Sequence, residues 1–136
     1  MSRTLQRVMV IEDDLATAIV HSFMLKTRGY TVTLAESGEQ ALERIEHVHP
    51  DAIVLDLLLP GIDGFDVARE LARRDSTSRI PILLVTGQQR LFEERARFRP
   101  QNIRRLLHKP CDREDLVSSL DAVLGNSPPS GESNHG

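Results

Sequence analysis

Several short apolar runs in this 136-residue chain lead into side chains that could do chemistry. Residues 8–11 run into Glu12, Asp13 and Asp14, and residues 52–55 into Asp56. Residues 80–85 run into Thr86, and the pair Leu106-Leu107 is followed, after His108, by Lys109. Laid side by side in one direction, such runs would gather several carboxylates, one hydroxyl and one ammonium at a single edge. Carboxylates at close quarters repel one another and resist full ionisation unless a cation joins them. Hard oxygen ligands, few and partly open to water, suit Mg²⁺, which keeps several of its own waters. A carboxylate beside Mg²⁺ and an ammonium is placed to accept a phosphoryl group. The cations offset charge on the equatorial oxygens, and a hydroxyl can bond one of them. Taken singly these residues have plainer readings, since acids at strand ends solubilise loops, and Asp14 is a candidate helix N-cap. Their combination, each at its own strand end, is what points to function.

The elements that must position them follow from the hydrophobic pattern. Residues 8–11 read as a buried strand, and Ala16, Ile19, Val20, Phe23 and Thr27 then fall at helical spacing. Gly29 stands where a C-terminal cap would. Val32 and Leu34 mark a second strand, and Ser37 precedes Gln40 as in a capping box. Ala41, Leu42, Ile45 and Val48 make the buried face of that helix. Residues 52–55 are a third strand, and Pro60-Gly61 breaks the chain before a stripe of Phe65, Ala68, Leu71 and Ala72. Residues 80–85 form a fourth strand, with Pro81 near its start where a missing N–H is tolerated. Residues 88–99 are charged and weakly amphipathic, and are expected to be helical. Leu106-Leu107 predicts a short fifth strand. Asp112 can cap a last helix with the stripe Leu116, Val117, Leu120, Val123 and Leu124, ended by Gly125. Five strand–helix units predict an α/β fold, a doubly wound parallel sheet covered on both faces. Ligands of such sheets sit beyond the carboxyl ends of the strands, where the candidate residues fall. Residues 126–136 offer nothing a core would take and are expected to be a disordered tail, leaving 1–125 as the domain.

Composition narrows the class. There are 17 basic and 20 acidic side chains, and 40% of residues are hydrophobic, the balance of an ordinary globular protein. A net charge of −3 argues against nucleic-acid binding through bulk charge, and 4% aromatics without tryptophan against base stacking. No apolar run approaches the roughly 18 residues of a membrane span. The run after Arg3 and Arg7 ends in three carboxylates, unlike a secretory signal. Cys111 has no partner for an internal disulfide, so a reducing cytoplasm is the expected compartment. The histidines show no ligand spacing and are expected on surfaces or loops. The arginines at 90, 95, 97, 99, 104 and 105 read as either a solvated face or a protein-docking surface.

The motifs together are specific. Val10-Ile11-Glu12-Asp13-Asp14, the stretch 53–64 around Asp56, Val85-Thr86-Gly87 and Lys109-Pro110 resemble the response-regulator receiver domain of two-component signalling, over residues 7–124. In that family a proline lies four residues past the phosphorylated aspartate and a glycine eight past, and Pro60 and Gly64 match. The resemblance implies a flavodoxin-like, CheY-like (βα)5 fold. It implies Asp56 as phosphoacceptor, with Mg²⁺ held directly by Asp13, Asp56 and the backbone carbonyl of Leu58, and by Glu12 through water. Thr86 would bond a phosphoryl oxygen and shift on activation, and Lys109 would pair with Asp56 or its phosphate. The Lys109-Pro110 bond would be cis. The implied donor is a histidine kinase or histidine phosphotransfer protein, and the output is binding of a downstream protein or phosphorelay. Such a domain catalyses only its own phosphorylation and dephosphorylation. With eleven residues after Gly125, no output domain is expected to follow, and no nucleic-acid or membrane contact.

The chain departs from the family pattern in places. Leu106 stands where an aromatic is usual, and Asn102-Ile103 where Gly-Ala is frequent. The segment from Thr86 to Lys109 is slightly longer than is common. With Thr86 and Leu106, Arg90 and Arg95 are the candidate switch and output residues. Leu58 and Gln88 hold positions that tune autodephosphorylation in the family, and Leu58 has no polar side chain to hold water. Two rival readings are an unphosphorylated receiver-shaped interaction module and a Mg²⁺-dependent aspartyl phosphohydrolase resembling haloacid dehalogenases. The second needs an aspartate two residues after the nucleophile, where this chain has Leu58.

Overall fold

The computed structural model describes residues 6–126, and strands and helices alternate throughout them. They are β1 (Arg7–Ile11), α1 (Leu15–Arg28), β2 (Thr31–Ala35), α2 (Gly38–Val48), β3 (Ala52–Asp56) and α3 (Gly64–Arg73). β4 (Ile82–Thr86), α4 (Gln89–Arg95), a 3-10 turn at Ala96–Phe98, β5 (Ile103–His108) and α5 (Arg113–Leu124) complete the order. The sheet is wholly parallel, in the order β2-β1-β3-β4-β5. Every residue of β3 and β4 is buried, which is why both read as unbroken apolar runs rather than alternating ones. Alternate residues of β1 feed two cores. Met9 and Ile11 pack with Leu55, Phe65 and Leu71, whereas Val8 and Val10 pack with Leu25, Leu116 and Leu120. In register, Ile11 lies opposite both Ala35 and Leu55, Asp56 opposite Val85, and Thr86 opposite His108. The strand ends therefore come level at one edge.

The helix starts are capped as their residues require. Asp14, Ser37, Asp63 and Asp112 each accept the backbone N–H three residues on. Gln40 completes its capping box differently from expectation, accepting from the Glu36 N–H rather than from Ser37. Gly29 ends α1 with φ 113°, a left-handed conformation that suits glycine.

Five expectations need correction. The apolar stripe of α1 does not face the core. Ala18, His21, Ser22 and Leu25 are buried, while Ile19, Val20 and Phe23 stand outward, Phe23 67% exposed. Spacing marks an apolar stripe but not what covers it. His21 is accordingly buried rather than a surface residue. On α3, Val67 takes the core place expected of Ala72. The helix of residues 88–99 is shorter, ending at Arg95, and β5 is longer than Leu106-Leu107. β5 is an edge strand held by backbone pairing to β4, so exposed Arg104 and Arg105 interrupt its apolar pattern without ending it. Residues 127–136 of the expected tail lie outside the described residues. Asn126, at its start, is seated, donating to Gln6 Oε1 at 2.5 Å and to the Tyr30 hydroxyl at 2.9 Å.

That hydroxyl donates in turn to Asp121, which also pairs with Arg28 at 3.2 Å. Burial and Asp121 push the Tyr30 phenol up to about 12. This network locks α5 to the α1–β2 junction. The orientation of α1 can be checked by urea unfolding. Leu25→Ala is expected to cost about 2–5 kcal/mol, and Phe23→Ser no more than about 0.5 kcal/mol. Equal losses would mean that the helix is turned the other way.

Candidate functional site

The site is built where β1, β3, β4 and β5 end. Asp56 is the last residue of β3, 8% exposed, and Glu12 follows β1, 4% exposed. The Glu12 N–H extends the sheet ladder to Ala35, and its Oε2 accepts the Asp14 N–H at 3.1 Å, fixing the carboxylate. Asp13 beside it is exposed. One oxygen each of Glu12, Asp13 and Asp56 lie within 4.8 Å of one another. Lys109 arrives from beyond β5, its N–H held by the Thr86 carbonyl at 2.9 Å. Its Nζ is 2.6 Å from Glu12 Oε1 and 3.4 Å from Asp56 Oδ2. The Lys109-Pro110 bond is cis, as the resemblance implies.

The seat of Asp56 is unusually close-packed. A β-carbon on Gly64 would fall 2.6 Å from the Asp56 carbonyl oxygen and 2.8 Å from Leu57 Cα. Only glycine lets α3 begin against the backbone at the end of β3. Thr86 is wholly buried, and its Oγ1 accepts the Gln88 N–H at 2.9 Å. Glu12, Asp13, Asp56 and Lys109 border a cleft of about 510 Å³ that also includes Leu58, Pro60 and Gln88.

Burial, and then Glu12, raise the Asp56 carboxyl to about 6, and Lys109 and the Leu58 N–H only partly offset them. Burial alone would lower Lys109, but Glu12 and Asp56 outweigh it and hold the ammonium above its ordinary value. His21, lowered by burial and by Lys109, sits beside Cys111 with Nε2 3.8 Å from the sulfur. Both border an adjoining groove of about 470 Å³ between α1 and the β5–α5 loop. The acidic cluster fits a hard divalent cation. Its three carboxylates are close enough to share one ion, and the strained Asp56 shows that positive charge is wanted there.

The fold thus brings Glu12, Asp13, Asp56, Leu58 and Lys109 to one cleft, with Thr86 behind it. Leu106 is half-buried and packs toward the core under α3. Arg90 points outward, its side chain 92% exposed. Arg95 instead folds back onto Asp63 and over the Phe65 ring. Sequence reasoning did not find Asp63 as its partner. The pair is 32 residues apart, and the only local signal on Asp63 is its capping box with Asp66.

Residues 8–121 match the family model of the response regulator receiver domain. The chain belongs to that family. The receiver is 30% identical to protein PilH of Pseudomonas aeruginosa over 118 residues, 87% of this chain and 97% of PilH. It is 36% identical to the response regulator MprA of Mycobacterium ulcerans over 118 residues, 87% of this chain, and spans 50% of MprA. Its fold matches the crystal structure of the receiver domain of sensor histidine kinase PA1611 from P. aeruginosa with TM-score 0.82 and 30% identity. That match covers 90% of this chain and 100% of the other, which has a magnesium ion coordinated in its active-site cleft.

The raised Asp56 makes stability depend on pH. The folded receiver keeps a proton that the unfolded chain, with its carboxyl near 3.8, has already released. Without metal, stability is therefore expected to fall as pH rises from about 4 through about 6, by up to about 3 kcal/mol. Asp56→Asn should flatten that slope and melt higher than wild type at pH 7.5 in EDTA. Mg²⁺ should raise only the wild-type melting temperature. Thermal melts by circular dichroism across this range check it, and a flat wild-type profile would mean that the carboxylates are not strained.

Proposed function

We propose that the receiver accepts a phosphoryl group on Asp56 from the phosphohistidine of a histidine kinase or a histidine phosphotransfer protein. It then signals by phosphorylation-dependent protein binding or by passing the group on. The observation that carries this reading is the convergence of Glu12, Asp13 and Lys109 on the buried carboxylate of Asp56. An Asp56 oxygen attacks phosphorus, the phosphorus–nitrogen bond to the donor imidazole breaks, and the imidazole nitrogen keeps the electron pair. Asp13, Asp56 and the Leu58 carbonyl would hold Mg²⁺ directly, and Glu12 through water. Bound there, the ion neutralises charge on the phosphoryl oxygens. Lys109 needs only to swing from Glu12 to add its own charge to them, and the Thr86 hydroxyl can donate to a third oxygen.

The surface suggests where partners sit. The large exposed apolar residues among those described are Leu15, Ile19, Val20 and Phe23 of α1 together with Leu58 beside the acceptor. Apolar side chains exposed on one helix and beside the site suit a protein contact, and we assign it to the phosphodonor. Residues 88–108 carry six arginines against two glutamates in a chain of net charge −3. Among the described residues no carboxylate pairs with Arg99, Arg104 or Arg105, and we place the downstream protein on this face, with Arg90 as one contact. No helix among the described residues is long and apolar enough to cross a membrane. We place the receiver in the cytoplasm, with its donor.

Mass spectrometry after incubation with acetyl phosphate and Mg²⁺ tests the acceptor. One phosphoryl group is expected, on Asp56, and none in EDTA or in Asp56→Asn. Lys109→Ala should slow labelling about 100-fold. Wild-type labelling of Asp56→Asn would overturn the assignment.

A further inference from the structure

α4 has little to hold it by itself. It has seven residues, and its N-cap, Gln88, makes no side-chain bond to it. Isolated helices so short are unstable in water. Contacts with α3 fix it instead. Phe92 is buried and stacks on Phe65, with ring centroids 6.1 Å apart and planes at 18°. Arg95, its last residue, pairs with Asp63 and lies 5.6 Å from the Phe65 ring centroid. Its planar guanidinium can do both at once, which an ammonium cannot.

Asp63 is committed on both oxygens. Oδ2 accepts from Arg95, while Oδ1 accepts the Asp66 N–H at 2.9 Å as the N-cap of α3. The next residue, Gly64, is pressed against the backbone of Asp56 and donates its N–H to the Leu57 carbonyl at 2.8 Å. Direct contacts therefore run from Arg95 to Asp63, from Asp63 through the peptide bond to Gly64, and from Gly64 to the acceptor strand. The pair is partly shielded, with side chains 41% and 19% exposed, so solvent screens it less than an open surface pair.

We propose that Arg95 is a positioning residue for the phosphoacceptor. It clasps the start of α3 to the end of α4, so that the seat of Asp56 and the placement of α4 are set together. The consequence for signalling rests on Asp56 being the acceptor, but the clasp itself does not. A protein that draws Arg95 away from Asp63 would loosen the β3–α3 junction and alter phosphorylation. By linkage, any change at the acceptor that alters the clasp would bias binding on α4 equally. This route needs no aromatic at the position of Leu106.

The test uses NMR on the full chain for wild type, Arg95→Gln, Arg95→Lys, Asp63→Asn and the Asp63→Asn/Arg95→Gln double variant. Asn keeps a good N-cap at position 63. Without any phosphoryl mimic, Arg95→Gln should speed hydrogen exchange of the Asp66 and Val67 amides about fivefold. The double variant should add nothing beyond Asp63→Asn, and Arg95→Lys should recover part of the protection. With Mg²⁺ and beryllofluoride, wild-type shifts are expected both around Asp56 and Lys109 and in residues 91–95. In Arg95→Gln the first set should persist and the second should largely vanish. Unchanged exchange at Asp66, additive effects in the double variant, or an undiminished α4 response would each overturn the clasp. A wild-type response absent around Asp56 and Lys109 would count against the acceptor reading alone, and the exchange measurements would still decide the clasp. Should Arg95→Gln fail to fold, Asp63→Asn decides by the same α4 response, which should largely vanish there too.

Discussion

Two buried carboxylates compete for one ammonium, and the architecture follows from that constraint. Glu12 and Asp56 sit at the ends of β1 and β3, which are hydrogen-bonded neighbours, so their charges cannot be moved apart without breaking the sheet. Parallel pairing brings the ends of the neighbouring strands β1, β3, β4 and β5 to the same edge. Lys109 comes from β5, two strand spacings or roughly 10 Å from β3. A four-carbon stem spans part of that gap from a backbone fixed to Thr86, the carboxylate side chains span the rest, and the charge stays free to pivot. At 2.6 Å from Glu12 and 3.4 Å from Asp56, the ammonium favours Glu12. Asp56 remains an anion at a cost, and that cost is what a bound cation would relieve.

The cleft around Asp56 was legible in the sequence because its residues follow strand ends. Each of Glu12, Asp56 and Thr86 directly follows an apolar run, and burial on both faces of the sheet makes such runs unbroken. Lys109 and Gly64 stand at fixed offsets from the same strand ends. What the sequence concealed depends on choices that are not local. Ile19 and Phe23 of α1 have the spacing of a core stripe but lie outside, because Ala18, Ser22 and Leu25 occupy the inward side of the helix. An apolar stripe awaiting a partner and one facing the core are written alike. The full length of β5 was concealed for the opposite reason. Its arginines look like loop residues, yet an edge strand needs only one partner and tolerates charge along its rim. The pairing of Asp63 with Arg95 joins residues 32 apart in sequence and leaves no periodic trace.

The two ends of α4 report on the site through different residues. At its start, Thr86 Oγ1 accepts the N–H of Gln88, the residue just before the helix. At its end, Arg95 holds Asp63, which caps the helix leaning on Asp56. If Asp56 is phosphorylated as proposed, a group of about −1.5 to −2 charges would stand where the carboxylate carried one. A Thr86 hydroxyl turning toward that charge would give up its bond to Gln88, and the start of α4 would lose a tether. The Phe92–Phe65 stack lies between these two ties and is apolar, so new charge at Asp56 acts on it least. It would then serve as the pivot about which α4 resettles. The half-buried Leu106 has no ring to swing into space vacated by Thr86. In this chain the movement would fall instead on a short helix whose two tethers are both polar, and so both within reach of a charge placed at Asp56.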